Sequence, residues 1–330
     1  MALRRLLVAA PLVIGALALS ACGSGNSGGA STGQVAVVAS FYPLQFATQQ
    51  IGGVHVAVTS LTKPGAEPHD IELTPQDVAT LSKARLVVYQ RGLQGAVDKA
   101  VEAQGGNRGL DVAPAANLNL LFQPAVGVPA PTSGANAPGT TDPHFWLDPQ
   151  RYSDVAKLIT QRLSRFDPAN KVDYEKNAKA FEDKLATLNA QFTTGVANCQ
   201  RKDMITSHAA FGYLAQRFGL KQIAINGLSP DQEPKAADLA AVSSYARAHG
   251  VTTIYAETLV SPAIAQTVAT EAGAKMGTLD PIEGLTAKSA GKDYFEVMRS
   301  NLKAIVRSGL FVRASSHIQG VSQVMIDCFP

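Results

Sequence analysis

Short apolar runs alternate with helix-patterned segments in two separate blocks of this chain, and that alternation limits the fold more than any other feature. In the first block, VAVVAS at 35–40, VHVAVTSL at 54–61, LVVYQ at 86–90 and GLDVA at 109–113 read as strands, the last an edge strand. Helical stretches at 43–51, from Thr74-Pro75 onward, and at 94–103 lie between them, with Thr74 as N-cap and Pro75 at the first helical position. In the second block the strands are MITS at 204–207, QIAI at 222–225, VTTIYAE at 251–257 and AKMGTL at 274–279, and Pro234 and Ser261-Pro262 mark helix starts. Strands that alternate with helices predict parallel sheets covered on both faces.

Between the blocks, Asp148-Pro149 starts a helix running to about Phe166, and Asp167-Pro168 starts another. The second has no proline and only Gly195 before Cys199; Val172, Ala178, Phe181, Leu185, Leu188 and Phe192 recur at helical steps and give it one apolar face. About 30 residues make a rod of roughly 45 Å, longer than a single lobe needs, and its register is not a sustained heptad. The expected fold class is therefore α/β: two lobes of parallel sheet with flanking helices, joined by one long rigid bridging helix. The N-terminal lobe is expected over 35–166, the bridging helix over 167–198 and the C-terminal lobe over 199–330. Residues 122–141, with four prolines, three glycines and no charge, read as a mobile surface insertion.

The N-terminus is a targeting segment rather than part of the fold. Arg4 and Arg5 precede an apolar run from Leu6 to Leu19, too short for the ~20 residues of a membrane span and suited to a signal peptide over 1–21. The run ends in LSAC, which resembles a bacterial lipobox with Cys22 as the lipid-modified first residue of the mature protein. A lipid there anchors the protein to the cell membrane without a spanning helix. Residues 22–34, GSGNSGGASTG at their heart, have the composition of a flexible tether; the G-x-G-x-x-G and G-x-S-x-G spellings inside it follow no strand and carry no mechanism. The formal charge of +3 falls to +1 without Arg4 and Arg5, and with no basic block and one tryptophan the chain does not suit nucleic acid. With Cys22 lipidated, Cys199 and Cys328 remain as an expected disulfide in an extracytoplasmic compartment.

The histidines sort by their place on the strands, because open α/β sheets bind ligands beyond the carboxyl ends of their strands. His69 lies in the loop after the second strand, His144 follows the insertion, His208 directly follows a strand of the second block, and Asp280 sits where the last strand stops. Each block supplies two of the four, which points to a site between lobes. His55 begins its strand, His249 ends a helix and His317 lies in the tail, so these three read as structural or surface residues. Three imidazoles and a carboxylate suit a borderline transition metal, zinc foremost. Pro68 and Pro143 stiffen the chain before His69 and His144, and Glu67 with its acidic neighbours is placed to orient ring N–H groups or to attract a dication.

GAEPHDIE at 65–72, DPHFWLDP at 142–149, TSHAAFGYLAQRFGL at 206–220, YAETLVSP at 255–262 and LDPIEG at 279–284 resemble, in order, the motifs of the zinc/manganese-binding solute receptors of bacterial ABC importers, and of their zinc type. The resemblance runs from about Val35 to Ile305. It implies two lobes bridged by a rigid helix, a metal in the cleft as transported ligand, and metal-ligand roles for His69, His144, His208 and Asp280; Glu257 matches a glutamate that supports the ligands. It also implies an ABC permease and its ATPase as partners, a monomer, and no catalysis. A manganese-selective receptor of the same family, a lipoprotein adhesin, or an extracytoplasmic zinc hydrolase are the alternatives. Against the hydrolase, four protein ligands leave no open metal position and H-E-x-x-H is absent from the sequence. Unlike zinc members that carry a histidine- and acid-rich loop before the second ligand, this chain has neither residue type at 122–141.

Overall fold

The computed structural model describes residues 33–310 except 125–136, 198, 200 and 232. The signal segment, Cys22, most of the insertion, His317 and Cys328 lie outside the described residues. No described helix is long and apolar enough to cross a membrane.

The first sheet is built from β1 (Val35–Ala39), β2 (Val56–Ser60), β3 (Leu86–Tyr89) and β4 (Gly109–Asp111), in spatial order β2-β1-β3-β4. All three pairings are parallel, with Val37 beside Val58 on one side and Leu86 on the other. Every residue of β3 is buried, as a central parallel strand covered on both faces requires. α1 (Tyr42–Gly52), α2 (Pro75–Lys83) and α3 (Gly95–Gln104) connect these strands, and the short α4 (Ala113–Ala116) follows β4. Thr74 caps α2 as its sequence promises: its hydroxyl accepts the Asp77 N–H at 3.2 Å, and the Asp77 carboxylate accepts the Thr74 N–H at 2.9 Å. A cap of this kind stabilises a helix by about 1 kcal/mol.

α5 (Pro149–Phe166) starts on Asp148, whose side chain accepts the Gln150 N–H at 2.9 Å. Asp167-Pro168 then begins only a 3-10 turn, Pro168–Asn170, and the bridging helix α6 runs Lys171–Val196. Its 26 residues span about 39 Å. Tyr174, Ala178, Phe181, Leu185, Leu188, Phe192 and Val196 form its buried face. Val172 does not belong to that face: it is 75% exposed, because two residues before the buried Tyr174 it stands about 200° round the helix, on the side that faces water.

The second sheet repeats the first. β5 (Asp203–Thr206), β6 (Lys221–Ala224), β7 (Thr253–Ala256) and β8 (Lys275–Thr278) lie in the order β6-β5-β7-β8, again all parallel. α7 (Gly212–Phe218), α8 (Ala236–Ala248) and α9 (Ala263–Ala272) connect them, and α10 (Tyr294–Ile305) crosses back toward the first lobe. Tyr294 and Phe295 of α10 meet Phe46, Tyr152 and Phe181 with ring centroids 4.8–6.1 Å apart, so one apolar core reaches into both lobes. Gly195 lets α6 and α10 approach: a Cβ there would stand 2.9 Å from Leu302 Cδ1.

At the base of the insertion, Leu121 and Thr141 form an antiparallel bridge and the Phe122 N–H donates to the Thr140 carbonyl at 2.8 Å. His144 is thereby delivered into the loop that enters α5.

Candidate metal centre

The first lobe holds two histidines by the same local device. Glu67-Pro68-His69 and Asp142-Pro143-His144 each place an acid two residues before a histidine, with proline between. In each, the acid accepts the histidine's own backbone N–H, at 3.1 Å from His69 to Glu67 Oε1 and at 2.9 Å from His144 to Asp142 Oδ1. Each proline carbonyl is then fixed by a buried glutamine amide, Gln94 donating to Pro68 at 3.1 Å and Gln90 donating to Pro143 at 2.8 Å. The loop geometry that aims both rings is thus tied to β3 and the start of α3.

The second lobe supplies His208 at the end of β5. Its carbonyl accepts from the Thr206 hydroxyl at 2.7 Å and the Gln222 amide at 2.9 Å. Glu257, at the end of β7, takes the part the acids play in the first lobe, accepting the His208 N–H at 2.9 Å and lying 2.6 Å from Nδ1. A carboxylate facing Nδ1 puts the ring proton there and leaves Nε2 free to ligate; Asp142, 2.8 Å from His144 Nδ1, does the same.

These arrangements converge on Glu283. Its Oε1 stands 3.3 Å from His69 Nε2, 3.1 Å from His144 Nε2 and 3.2 Å from His208 Nε2, and the His69 and His144 Nε2 atoms are 3.2 Å apart. One candidate ligand atom from each of the four residues lies within 4.8 Å of the rest. A tetrahedral ion with bonds of 2.0–2.1 Å sets its ligand atoms about 3.4 Å apart, so the cluster is already close to that shape. His144, His208 and Glu283 are buried, and Glu283 Oε2 has no hydrogen-bond partner.

The structure therefore brings His69, His144 and His208 together with Glu283, and Asp280 is not in the group. Asp280 faces away from the cluster: Oδ1 accepts the Ile282 N–H at 2.8 Å and Oδ2 accepts the Ser289 hydroxyl at 2.8 Å. Its backbone is paired twice with the Asn301 amide of α10, at 2.9 and 2.7 Å. Asp280 shapes the loop, and the longer Glu283 reaches the site. Between them Ile282 has φ +58°, left-handed backbone that costs a β-branched residue on the order of 1–3 kcal/mol. Of the expected helper residues, Glu257 orients His208, and Glu67 holds the backbone of His69. Asp142, Gln90 and Gln94 join them. The repeated acid-Pro-His spelling was the available signal for Asp142.

Outside the cluster, His55 pairs with Asp173 at 2.8 Å, and His249 stacks on Tyr245 with centroids 3.8 Å apart. Both are structural. Cys199 is buried, and its expected partner Cys328 lies outside the described residues.

Electrostatically the cluster acts as one unit. Burial works against charge on His144, but hydrogen bonds to Asp142 and Glu283 outweigh it and raise the pKa. His208 is likewise disfavoured by burial yet driven well above the usual imidazole value by the charges of Glu257 and Glu283. Burial dominates at His69 and lowers its pKa. Glu283 is held well below the usual carboxylate range because His208, His144 and His69 overcome its burial. Glu67 goes the other way, to about 9, from burial and the nearby Glu283 charge. A buried carboxylate amid three imidazoles is a site made for a dication.

Two parallel α/β lobes, a bridging helix and an interlobe cluster of three histidines and a glutamate define the class of two-lobed, metal-binding solute receptors. Residues 37–308 match the family model "Zinc-uptake complex component A periplasmic", and the chain belongs to that family. It is 36% identical over 310 residues to the high-affinity zinc uptake system protein ZnuA of Bacillus subtilis (strain 168), covering 90% of this chain and 95% of that protein. It is 35% identical over 296 residues to the zinc-binding lipoprotein AdcA of Streptococcus pneumoniae (strain R6), covering 88% of this chain and 58% of that protein, so it spans little more than half of the longer relative. The Zn(II)-bound ZnuA-like domain of Streptococcus pneumoniae AdcA superposes with a TM-score of 0.69 at 35% identity, over 84% of this chain and 99% of that one.

Proposed function

We propose that this protein is an extracytoplasmic receptor that captures Zn2+ in the interlobe cluster and delivers it to an ABC permease and its ATPase, acting without catalysis. The carrying observation is the convergence of three imidazole Nε2 atoms on one buried carboxylate oxygen, within 3.1–3.3 Å. His69, His144, His208 and Glu283 are the ligands. Four protein ligands complete a tetrahedral ion and leave no position for an activated water, which separates a receptor from a hydrolase. The family match and the zinc-binding names of the relatives support the same cargo. LSAC at 19–22 and the lipoprotein relative support anchoring to the membrane through lipid on Cys22, with 22–34 as tether. Receptor and permease then meet as a monomeric receptor on the membrane surface. Calorimetry with a competing chelator is expected to give one zinc per chain, and Glu283→Gln and His208→Ala to lose most of the affinity. Unchanged zinc binding in both variants would overturn the assignment.

A further inference from the structure

The carboxylate ligand hangs from a peptide plane clamped at both ends, and the two clamps come from different lobes. The peptide between Pro281 and Ile282 has its carbonyl held by the Trp146 indole N–H at 2.7 Å and its N–H held by Asp280 Oδ1 at 2.8 Å. Pro281 has no N–H of its own, so this carbonyl is its one backbone hydrogen-bonding group. Flipping the plane would break both bonds and let Ile282 leave its left-handed φ of +58° for the ordinary region. Glu283 follows immediately, and its direction is set by that backbone.

Trp146 is fully buried and itself well fixed. Its ring meets Phe41 edge-on with centroids 4.9 Å apart, and its carbonyl accepts from the Tyr294 hydroxyl at 2.6 Å. It stands two residues after His144, ring to ring at 5.3 Å. A buried indole N–H needs an acceptor, and this one finds it across the cleft, two residues before the carboxylate.

Building on the reading of Glu283 as a zinc ligand, we propose that Trp146 is the positioning residue for it: the interlobe hydrogen bond from the indole N–H to the Pro281 carbonyl holds Ile282 left-handed, aims Glu283 Oε1 at the three histidines, and so sets how long the metal is retained. The bond links a ligand-bearing loop of one lobe to a ligand-bearing loop of the other. Separation of the lobes would break it and release the carboxylate together with the metal.

The chain has one tryptophan, so an analogue can be placed at this position alone. Benzothienylalanine keeps the bicyclic shape and replaces the N–H with sulfur, removing the bond without opening a cavity; Trp146→Phe is the second variant. Zinc affinity and stopped-flow zinc dissociation are measured for the full chain in the wild-type and Glu283→Gln backgrounds. Cobalt absorption spectra serve as a coordination readout, and circular dichroism confirms the fold. Loss of one buried hydrogen bond is expected to speed dissociation by about tenfold in the wild-type background. No further loss is expected once Glu283 is Gln, because residues acting through one group are not additive. The analogue should shift the cobalt spectrum in the same direction as Glu283→Gln. An equal loss in both backgrounds, or an unchanged dissociation rate, would overturn the positioning role. Wild-type affinity in Glu283→Gln alone would instead refute the ligand assignment on which it rests.

Discussion

Glu257 grips His208 at two points, one oxygen 2.6 Å from Nδ1 and the other accepting the backbone N–H at 2.9 Å. One side chain thereby fixes the loop, the rotamer and the tautomer of the candidate ligand on the far lobe from His69 and His144. Removing such a partner typically weakens metal binding 10–100-fold, and Glu257→Ala is expected to fall in that range. Chelator competition measures it. Wild-type affinity would show that β5 and Gln222 alone suffice to aim the ring.

Asp280 and Glu283 separate by what they affect. Glu283→Gln is expected to cost most of the metal affinity and some metal-free stability near neutral pH, since the carboxylate that the three histidines hold ionised is gone. Asp280→Ala orphans the Ile282 N–H and the Ser289 hydroxyl. It should lower metal-free stability by on the order of 2 kcal/mol, with Asp280→Asn recovering part. Denaturant melts of the two variants, with and without zinc, distinguish the roles; an Asp280→Ala protein of full stability would contradict this division.

Stability and metal binding should run oppositely with pH. His144 and His208 have folded pKa values above the unfolded one of about 6.5, so their contribution is complete below that value and is lost as pH rises through the folded ones. Glu67, raised to about 9, adds a penalty that grows above its ordinary value and up to that pH. Glu283, depressed, keeps its contribution until strong acid. His69, lowered, acts only below about 6.5 and in the opposite sense. Between about pH 7 and 9 the metal-free protein is therefore expected to lose stability, while zinc, which needs neutral imidazoles, binds more tightly and releases protons. Thermal melts across this window and calorimetry in buffers of different ionisation enthalpy test both halves. A metal-free protein that gains stability from pH 7 to 9 would refute the scheme.

Features set by near neighbours are written in the sequence, and those set by distant contacts are not. Strands such as 86–90 were legible because a buried central strand is apolar throughout, and Thr74-Pro75 was legible because a cap is a contact between near neighbours. His69 and His208 followed from strand ends, and His144 from its place after the insertion. The choice of Glu283 over Asp280 did not, because both acids follow β8 and only the left-handed Ile282 and the pairing of Asp280 with Asn301 decide between them. Gln90 and Gln94 act on prolines 53 and 26 residues away, contacts that no local pattern encodes. Val172 is apolar yet faces water, since six residues before Ala178 and two before Tyr174 it falls off the buried face of the helix.

Cys199 is buried, and burial pushes its thiol pKa up, which makes it a poor nucleophile in the folded protein. The expected pairing with Cys328 would have to form before or during packing of the end of α6. Closing a loop of that length contributes about 5 kcal/mol in the chain-entropy model. Peptide mapping of unreduced protein should recover the two cysteines in one linked species. Two titratable thiols in denatured, unreduced protein would exclude the bond.

Selectivity between zinc and manganese should turn on His208. Three imidazoles and one carboxylate form a borderline site that favours zinc, whereas manganese prefers oxygen donors, and the divalent affinity order also places zinc above manganese. That order makes tight zinc binding in vitro weak evidence of the physiological cargo, so the decisive measurement is the ratio of the two affinities and the metal that rescues growth. His208→Glu exchanges an imidazole for a hard oxygen donor, and it also sets a third carboxylate beside Glu257 and Glu283 in a buried space. Both effects weaken zinc more than manganese: the first by ligand softness, the second because clustered carboxylates suit a larger ion with more oxygen ligands. The zinc-to-manganese affinity ratio is expected to fall by at least about tenfold. A strain lacking the protein should fail under zinc chelation and recover with zinc rather than manganese, and the His208→Glu protein should restore growth poorly. An unchanged ratio, or a strain rescued by manganese alone, would reassign the cargo.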